Sequence, residues 1–442
     1  MSFSYSRDFH ILLNKCHEME CIILKQEKVL DAILRSSAIN IAARGFGYVK
    51  NVAIAVLIGF NAQTDAFFMA LTLISIFLTF ADVFDSIGVP NLVRAREESR
   101  ERFLKLSSLL LTFTIILAVL LLIISIFSYP LISKIAIGWT GDKKGYLALY
   151  FYLLLPYLFF NFFFHHFGAI LRSERLFTPY FIGELIFSMF TSIFIVIGLL
   201  IYKNPMAIPV SFSMAQVIAT GYMIFAERRH LRVAFFIDNT SKEILKQFFY
   251  LTALYGVGHI FVVVDKIFAS MLPTKCITAL SYGLLIALVP KGILKLENIV
   301  ITSLSEAGAD RGKLNFYIKK IILISSLFAI VIFVFAPVLI KLLLGYGKFS
   351  QEDLMLTVDA ARYYVLSLPF IFLWPIFYRW FQIKNTLRFV FGICIVSVLA
   401  MLCADYLFII VLNMGIKGIA LGSLVANASL CILSYLVIAR NK

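Results

Sequence analysis

Charged residues are scarce in this sequence. Asp, Glu, Lys and Arg make up 15% of its 442 residues, against 61% hydrophobic residues. Soluble domains carry about a quarter charged residues, so the composition excludes an ordinary soluble protein. The six cysteines show no metal-like spacing, and we interpret them as packing residues without a disulfide framework. A glycine-rich phosphate loop and a nucleophile elbow are also missing. We therefore expect neither an enzyme nor a resident cofactor or bound metal.

Long apolar segments dominate what is present. About twelve of them have the roughly 20 residues that a bilayer crossing requires, and the connections between them are short. A membrane β-barrel would instead show short alternating strands. The sequence predicts an all-α polytopic membrane protein with about twelve transmembrane helices, arranged as two six-helix lobes with a central cavity.

The net charge of +15 is unevenly distributed along the chain. Of the 40 Lys and Arg residues, 28 lie in one alternating set of loops and termini, whereas 8 lie in the opposite loops. This alternation follows the positive-inside rule and predicts that both termini are cytoplasmic. The positive charge therefore indicates membrane topology and not a nucleic-acid partner. The sequence does not indicate an oligomeric state.

The two halves of the chain match at an offset of 213 residues. The offset aligns Tyr150 with Tyr363, Pro156 with Pro369 and, more weakly, Asp65 with Thr278. An even number of crossings per repeat predicts parallel repeats related by an axis along the membrane normal. We predict lobes at 40–228 and 246–440, joined by a cytoplasmic linker at 229–245. Residues 1–39 are predicted to form an amphipathic cytoplasmic segment on the inner leaflet.

The first apolar segment contains two cations and an amide, which are costly inside a bilayer. Arg44, Gly47 and Asn51 fall on one helical face, and Lys50 lies roughly 120° around the helix from Arg44. Ionisable groups at this depth usually face a cavity or a partner. Arg44 either lines such a cavity or snorkels to the cytoplasmic interface. Lys50 is deeper, which favours the cavity.

Acidic residues interrupt other apolar segments. Thr64 and Asp65 precede the second segment and are predicted to be its N-cap. Asp265 and Asp405 lie within later segments. A buried carboxylate can carry a proton or, together with other oxygens, hold a small cation such as sodium. We predict ion coupling at Asp265 and Asp405; the alternative is that each pairs with a Lys or an amide on a neighbouring helix.

Several short motifs spread over residues 40–438 carry a family resemblance. They are Arg44-x-x-Gly47, Thr64-Asp65-Ala66-Phe67-Phe68, Asp265-Lys266-Ile267-Phe268-Ala269-Ser270 and Tyr346-Gly347-Lys348-Phe349. Together they resemble the MurJ/MviN family of lipid II flippases, which is part of the multidrug/oligosaccharidyl-lipid/polysaccharide exporter superfamily. The resemblance implies a two-lobed bundle whose cavity binds the pyrophosphate and sugar of a polyprenyl-linked precursor.

The resemblance also assigns roles to residues. It implies substrate binding by Arg44, Lys50, Asn51 and Asp65, and a sodium site formed by Asp265, Asp405 and Ser423. The chain departs from the family at five positions: Leu78 and Leu285 replace cavity arginines, Lys50 replaces a second arginine, Asn51 replaces an acid, and Met401 replaces an Asn of the sodium site. Arginine grips phosphate with two hydrogen bonds and leucine with none. The identity of the saccharide is therefore open.

We predict a flippase that moves a polyprenyl-pyrophosphate-linked saccharide from the inner to the outer leaflet of the bacterial cytoplasmic membrane. Its partners would be this lipid-linked saccharide and the bilayer, and sodium or a proton would be the coupling ion. Alternating access of the two lobes is the expected mechanism. The main alternative is a multidrug or organic-cation antiporter of the same superfamily, which would need an acidic, aromatic cavity. A membrane scaffold or a membrane glycosyl enzyme is a third hypothesis.

Overall fold

The computed structural model describes residues 29–228, 239–294, 310–384 and 386–440, and all regular secondary structure in these ranges is helical. This confirms the all-α membrane class. Eight helices of the described part are long and apolar enough to cross a bilayer, and a bent helix pair makes a ninth. The remaining predicted crossings are not among these spans of the described residues, so the count of twelve stays a prediction.

The described part of the first half contains seven α-helices. They are α1 Val29–Leu57, α2 Ala62–Glu98, α3 Arg100–Ile132, α4 Asp142–Leu153, α5 Leu155–Ser173, α6 Phe177–Tyr202 and α7 Ala207–Ala226. Most of the predicted N-terminal segment, residues 1–28, lies outside the described residues. Helix α1 begins well before residue 40, so the first crossing continues into residues that we assigned to that segment.

In the second half, the described residues form eight α-helices and one π-helical stretch. They are α8 Asn239–Ala269, α9 Cys276–Ala287, α10 Val289–Leu294, α11 Arg311–Leu344, α12 Gln351–Val365, α13 Leu368–Ile383, α14 Leu387–Asp405, the π-helix Tyr406–Val411 and α15 Ile416–Arg440. Residues 229–238 of the predicted linker lie outside the described residues. Helix α8 begins at Asn239, inside the range that we assigned to the linker.

The same helix packing occurs in both halves. In the first half, α1 packs on α6, α6 on α7, and α2 on the α4–α5 pair. In the second half, α8 packs on α14, α14 on α15, and α9 on α12. The repeat inferred from the offset of 213 residues therefore corresponds to two bundles with one packing scheme.

Each half contains a crossing that is broken at a proline, and the two breaks fall at equivalent positions. Helix α4 ends at Leu153 and α5 restarts at Leu155, with Pro156 in its first turn. Helices α12 and α13 repeat this at Pro369, where the pair bends by 44°. Proline lacks the N–H of the i→i−4 bond but fits the first turn of a new helix. The aligned prolines thus break equivalent helices.

The start of α2 differs from our prediction. Its N-cap is Asn61, whose side chain accepts hydrogen bonds from the N–H groups of Gln63 (2.9 Å) and Thr64 (3.0 Å). The Thr64 hydroxyl in turn accepts from the Asn61 N–H and completes a capping box. The prediction that Thr64 and Asp65 are the N-cap was wrong, since a cap three to four residues earlier leaves the Asp65 carboxylate available elsewhere.

Candidate functional site

Asp65 joins the two halves of the protein. Its carboxylate accepts hydrogen bonds from the backbone N–H groups of Lys275 (2.7 Å) and Thr278 (2.8 Å) and from the Thr278 hydroxyl (2.6 Å). These donors belong to the N-terminus of α9, where free N–H groups and the helix dipole favour an anion. Asp65 is 2% exposed and is satisfied by these bonds. We call Asp65, Lys275 and Thr278 the latch.

The latch joins positions that the internal repeat aligns with each other. Asp65 and Thr278 are 213 residues apart, which is the repeat offset. Two residues related by a two-fold axis can touch only close to that axis. The contact therefore places the approximate symmetry axis of the two bundles at the latch.

Two glycine-containing turns pack against each other beside the latch. The Lys348 N–H donates to the Val56 carbonyl (2.8 Å), and a Cβ on Gly347 would lie 2.3 Å from the same oxygen. A Cβ on Gly59 would lie 2.7 Å from the Lys348 carbonyl oxygen. Gly59 and Gly347 both have positive φ. The motif Tyr346-Gly347-Lys348-Phe349 therefore packs on the turn that follows α1, and glycine is what lets the two backbones approach.

Aromatic and ionic contacts surround the latch. Phe60 packs on Tyr282, with ring centroids 5.1 Å apart, and on Phe349, at 5.3 Å. The Lys275 ammonium pairs with Glu352 in the first turn of α12. That hydrogen bond raises the pKa of Lys275 above its ordinary value. The loops at this end are those with few cations, the end that our topology prediction assigns to the outer side.

A Gly347→Ala substitution is expected to loosen the contact between the two glycine-containing turns beside the latch. Alanine is strained at φ 61° and its Cβ would meet a backbone oxygen that cannot move aside as a side chain can. Cys276, buried next to the latch, is a native reporter. Its reaction with a membrane-impermeant maleimide, followed by peptide mass spectrometry, should accelerate about tenfold or more. Gly145→Ala, at an open helical position, is the control; equal rates in both variants would contradict the prediction.

The two halves also touch towards the opposite end. His259 Nε2 on α8 lies 3.6 Å from an Asp82 carboxylate oxygen on α2. Arg44 on α1 reaches α10, where its Nη1 lies 2.8 Å from the position that a Cβ on Gly292 would occupy. Arg44 is exposed, and its Nε donates to Asn40 Oδ1 (3.1 Å). No carboxylate lies within ion-pair distance of Arg44 among the described residues.

Lys50 and Asn51 lie in different surroundings from Arg44. The Lys50 ammonium sits 4.6 Å from the centre of the Phe212 ring on α7, inside the first bundle. Within the described part of the chain it has no acidic partner within 4 Å. The Asn51 side-chain amide donates to the Gly47 carbonyl (3.0 Å). The backbone carbonyl of Asn51 accepts a hydrogen bond from the Tyr282 hydroxyl (2.6 Å). The structure thus places Lys50 over an aromatic ring of the first bundle, and the Asn51 backbone takes part in a contact between the bundles.

A second polar cluster lies inside the second bundle. Asp265 on α8 accepts hydrogen bonds from the Tyr364 hydroxyl (2.8 Å) and from the Ser423 hydroxyl (2.8 and 2.9 Å). Asp405, at the end of α14, is fully buried, and neither carboxylate oxygen has a hydrogen-bond partner in the described ranges. It packs on Gly422, where a Cβ would lie 1.7 Å from Oδ1. We call Asp265, Tyr364, Asp405 and Ser423 the carboxylate cluster.

The cluster gathers the three residues that we predicted for ion coupling. Ser423 contacts Asp265 directly, while Gly422, the residue before it, contacts Asp405. Sequence reasoning missed Tyr364 and Gly422. The offset of 213 aligned Tyr150 with Tyr363, one residue from the true participant, and nothing in the sequence marked Gly422. Among the described residues no three His, Cys, Asp or Glu side chains could hold a metal ion, and the four cysteines that the structure describes are free thiols.

Two helical bundles with one packing scheme, joined at their axis by a carboxylate and carrying buried ionisable groups within the membrane helices, define a two-lobed membrane transporter. A sequence model of the family described as "Lipid II flippase MurJ" matches residues 54–442. The chain belongs to this family.

Individual proteins agree with the family assignment. The probable lipid II flippase MurJ of Aquifex aeolicus is 24% identical over 407 residues, which cover 89% of this chain and 80% of that protein. The Buchnera aphidicola (Schizaphis graminum) relative of the same name is 26% identical, over 77% and 70% of the two chains. Among solved structures, a lipid II flippase MurJ in an inward closed conformation has a TM-score of 0.78 at 21% identity, covering 91% and 87%. An inward-facing MATE multidrug transporter reaches 0.71 at 16%, covering 92% and 97%.

Proposed function

We propose that this protein moves a polyprenyl-pyrophosphate-linked saccharide across the bacterial cytoplasmic membrane, from the inner to the outer leaflet. The observation that carries the proposal is the latch, since a carboxylate of one lobe closes the other lobe's helix end at the symmetry axis. Breaking and remaking such a contact is how two lobes expose a central site to each side in turn. With the predicted topology, the latch closes the outer side and cargo enters from the inside.

The cations of the first lobe support an anionic cargo. Arg44 and Lys50 lie on α1 without carboxylate partners among the described residues, and Arg44 reaches the opposite lobe at Gly292. A pyrophosphate supplies the charge that these groups lack, and the Arg44 guanidinium can bind it with two hydrogen bonds. An organic-cation antiporter would instead need acids there. The cation-rich first helix therefore favours the lipid-linked anion, although the MATE fold is similar.

The leucines at two family arginine positions bear on the choice of cargo. Leu78 packs against the apolar core and Leu285 is half-buried. Neither supplies charge to a phosphate, so this protein must hold its cargo with fewer cations. We propose a saccharide-linked pyrophosphate related to lipid II as the cargo class.

Purified full-length protein in vesicles tests this proposal. Lipid II, a polyprenyl-pyrophosphate with a different glycan, a polyprenyl monophosphate sugar and a fluorescent organic cation are offered in parallel. Appearance of a pyrophosphate-linked cargo in the opposite leaflet, with little movement of the monophosphate or the cation, is expected. Transport of the cation alone would replace the proposal with the antiporter alternative.

We also propose that the carboxylate cluster holds the coupling cation, sodium or a proton. A buried carboxylate without a hydrogen-bond partner is costly, so Asp405 needs a proton or a cation beside it. The carboxylate oxygens of Asp265 and Asp405 and the Ser423 hydroxyl offer oxygen ligands, which hard cations prefer. Met401, at the family's Asn position, adds none.

Asp405→Asn should remove cation coupling while keeping the shape of the side chain. Loss of a buried charged partner costs about 3 kcal/mol or more, which lowers the affinity for the cation about 100-fold. Radioactive sodium binding and the proton dependence of flipping are the measurements. Asp359→Asn is the matched control, because Asp359 pairs with Lys417 away from the cluster. If sodium and proton dependence both survive in Asp405→Asn, the ion site lies elsewhere.

A further inference from the structure

Lys266 is a buried cation that neither the latch nor the carboxylate cluster includes. It follows Asp265 in the chain and is 5% exposed. Adjacent residues of a helix point about 100° apart, so the two side chains leave α8 in different directions. The Lys266 ammonium donates to the Ile277 carbonyl (2.9 Å) and to the Ser281 hydroxyl (2.5 Å), both on α9.

These contacts link the carboxylate cluster to the latch. Asp265 is bound to α12 and α15 through Tyr364 and Ser423. Lys266 is bound to the first turns of α9, the helix whose terminal N–H groups Asp65 holds. Ile277 lies between those two N–H donors, at Lys275 and Thr278. A displacement of α8 at Asp265 therefore reaches the capped end of α9 through the Lys266 side chain as well as through the short connection 270–275.

Electrostatics act along the same path. The carboxylates that attract the Lys266 ammonium are Asp265, in the cluster, and Asp65, in the latch. Inside a protein such attractions are stronger than in water. A cation arriving at Asp265 would weaken one of the two attractions and leave the other.

We propose that Lys266 is a positioning residue that transmits cation binding at the carboxylate cluster to the interlobe latch. This inference depends on the proposed cation site and extends it by naming the residue that connects it to the lobe movement. Lys266 touches neither cargo nor cation. It holds α9 in the position at which Asp65 can cap it, and this hold depends on whether a cation is bound at Asp265.

Spin labels across the latch test the inference. In a background without the native cysteines, Lys144→Cys on α4 and Met355→Cys on α12, both exposed, report the lobe separation in vesicles. Sodium, and separately a change of pH, should shift the ratio of closed to open distances about tenfold, within the range of coupled sites. In Lys266→Met the shift should vanish while radioactive sodium or proton binding persists. Lys266→Arg, which retains the charge and the donors, should restore it.

Lys275→Met is the matched control. It removes an ammonium at the latch that pairs with Glu352, so it should change the closed fraction but preserve its cation dependence. An unchanged cation dependence in Lys266→Met would overturn the inference, as would a wild-type latch that ignores a bound cation. Flipping measured in the same vesicles separates the two proposals. A latch that responds to the cation through Lys266 without cargo movement refutes the function and supports the inference.

Discussion

Asp65→Asn is expected to open the latch and to slow flipping by at least tenfold. The asparagine keeps the shape of the side chain. Its NH₂ group, however, replaces one accepting oxygen and faces an N–H or hydroxyl donor of α9. Hydrogen bonds to charged groups contribute about 1.5 to 3 kcal/mol each. Three such bonds are weakened here, so a loss of about 3 kcal/mol, or about 100-fold in the closed population, is a conservative figure.

The reactivity of Cys276 measures this change directly. Its thiol is buried at the N-terminus of α9 and should become accessible from outside when Asp65 no longer caps that helix. Thr278→Val removes the hydroxyl donor but keeps the backbone N–H, so it should have a smaller effect. A double-mutant cycle with Asp65→Asn then gives the coupling between the two side chains. Protection of Cys276 equal to that of the wild type would mean that the latch does not hold the lobes together.

Arg44→Ala and Lys50→Ala should each abolish most flipping while the protein still folds and inserts. Where bound cargo shields a cation–phosphate contact from water, removing the cation costs about 2 to 5 kcal/mol, or at least about 30-fold. Arg44 is expected to have the larger effect, since it is exposed and reaches the other lobe at Gly292. Lys50 contributes a point charge from its position over Phe212.

The readout for these two variants is initial flipping rate against cargo concentration in vesicles. Lys105→Ala provides the control, because Lys105 is an exposed cation paired with Glu101 on the protein surface. Insertion and thermal unfolding of all three variants should match the wild type. Full activity in both Arg44→Ala and Lys50→Ala would remove the charge-capture mechanism.

The fold class was predictable because membrane composition constrains it strongly. Apolar segments of crossing length admit few alternatives, and the helical class followed. The repeat was visible because Pro156 and Pro369 break equivalent helices, and a missing N–H has the same effect in both lobes. Asp265 and Ser423, which the resemblance brought together, are in hydrogen-bond contact in the structure. Their role in ion coupling stays a prediction.

The latch was not predictable from local sequence rules. Thr64 and Asp65 fitted an N-cap by residue type, but Asn61 takes that role because it lies next to the turn after α1. Asp65 is then available to cap a helix 210 residues away, and capping preferences contain no information on such a partner. The repeat offset did pair Asp65 with Thr278. It could not reveal that the pair lies on the axis and touches.

Glycine contacts were equally hidden in the sequence. Nothing in the sequence marks Gly422, and the motif that contains Gly347 does not reveal its contact, yet at each position a Cβ would meet an oxygen of another helix or turn. Such sites depend on how closely two elements approach after packing. The contacts of Lys266 were hidden for the same reason, because its acceptors on α9 become neighbours only once α8 and α9 fold together.

Crosslinking the two lobes beside the latch tests the central claim most directly. With Phe60→Cys and Phe349→Cys, positions whose rings pack 5.3 Å apart across the lobes, a short thiol crosslinker that reductant cleaves will hold the outer side closed. If the lobes alternate, crosslinking should stop flipping of the pyrophosphate-linked cargo and reduction should restore it. Flipping that continues at the uncrosslinked rate with the latch locked would contradict alternating access through this interface.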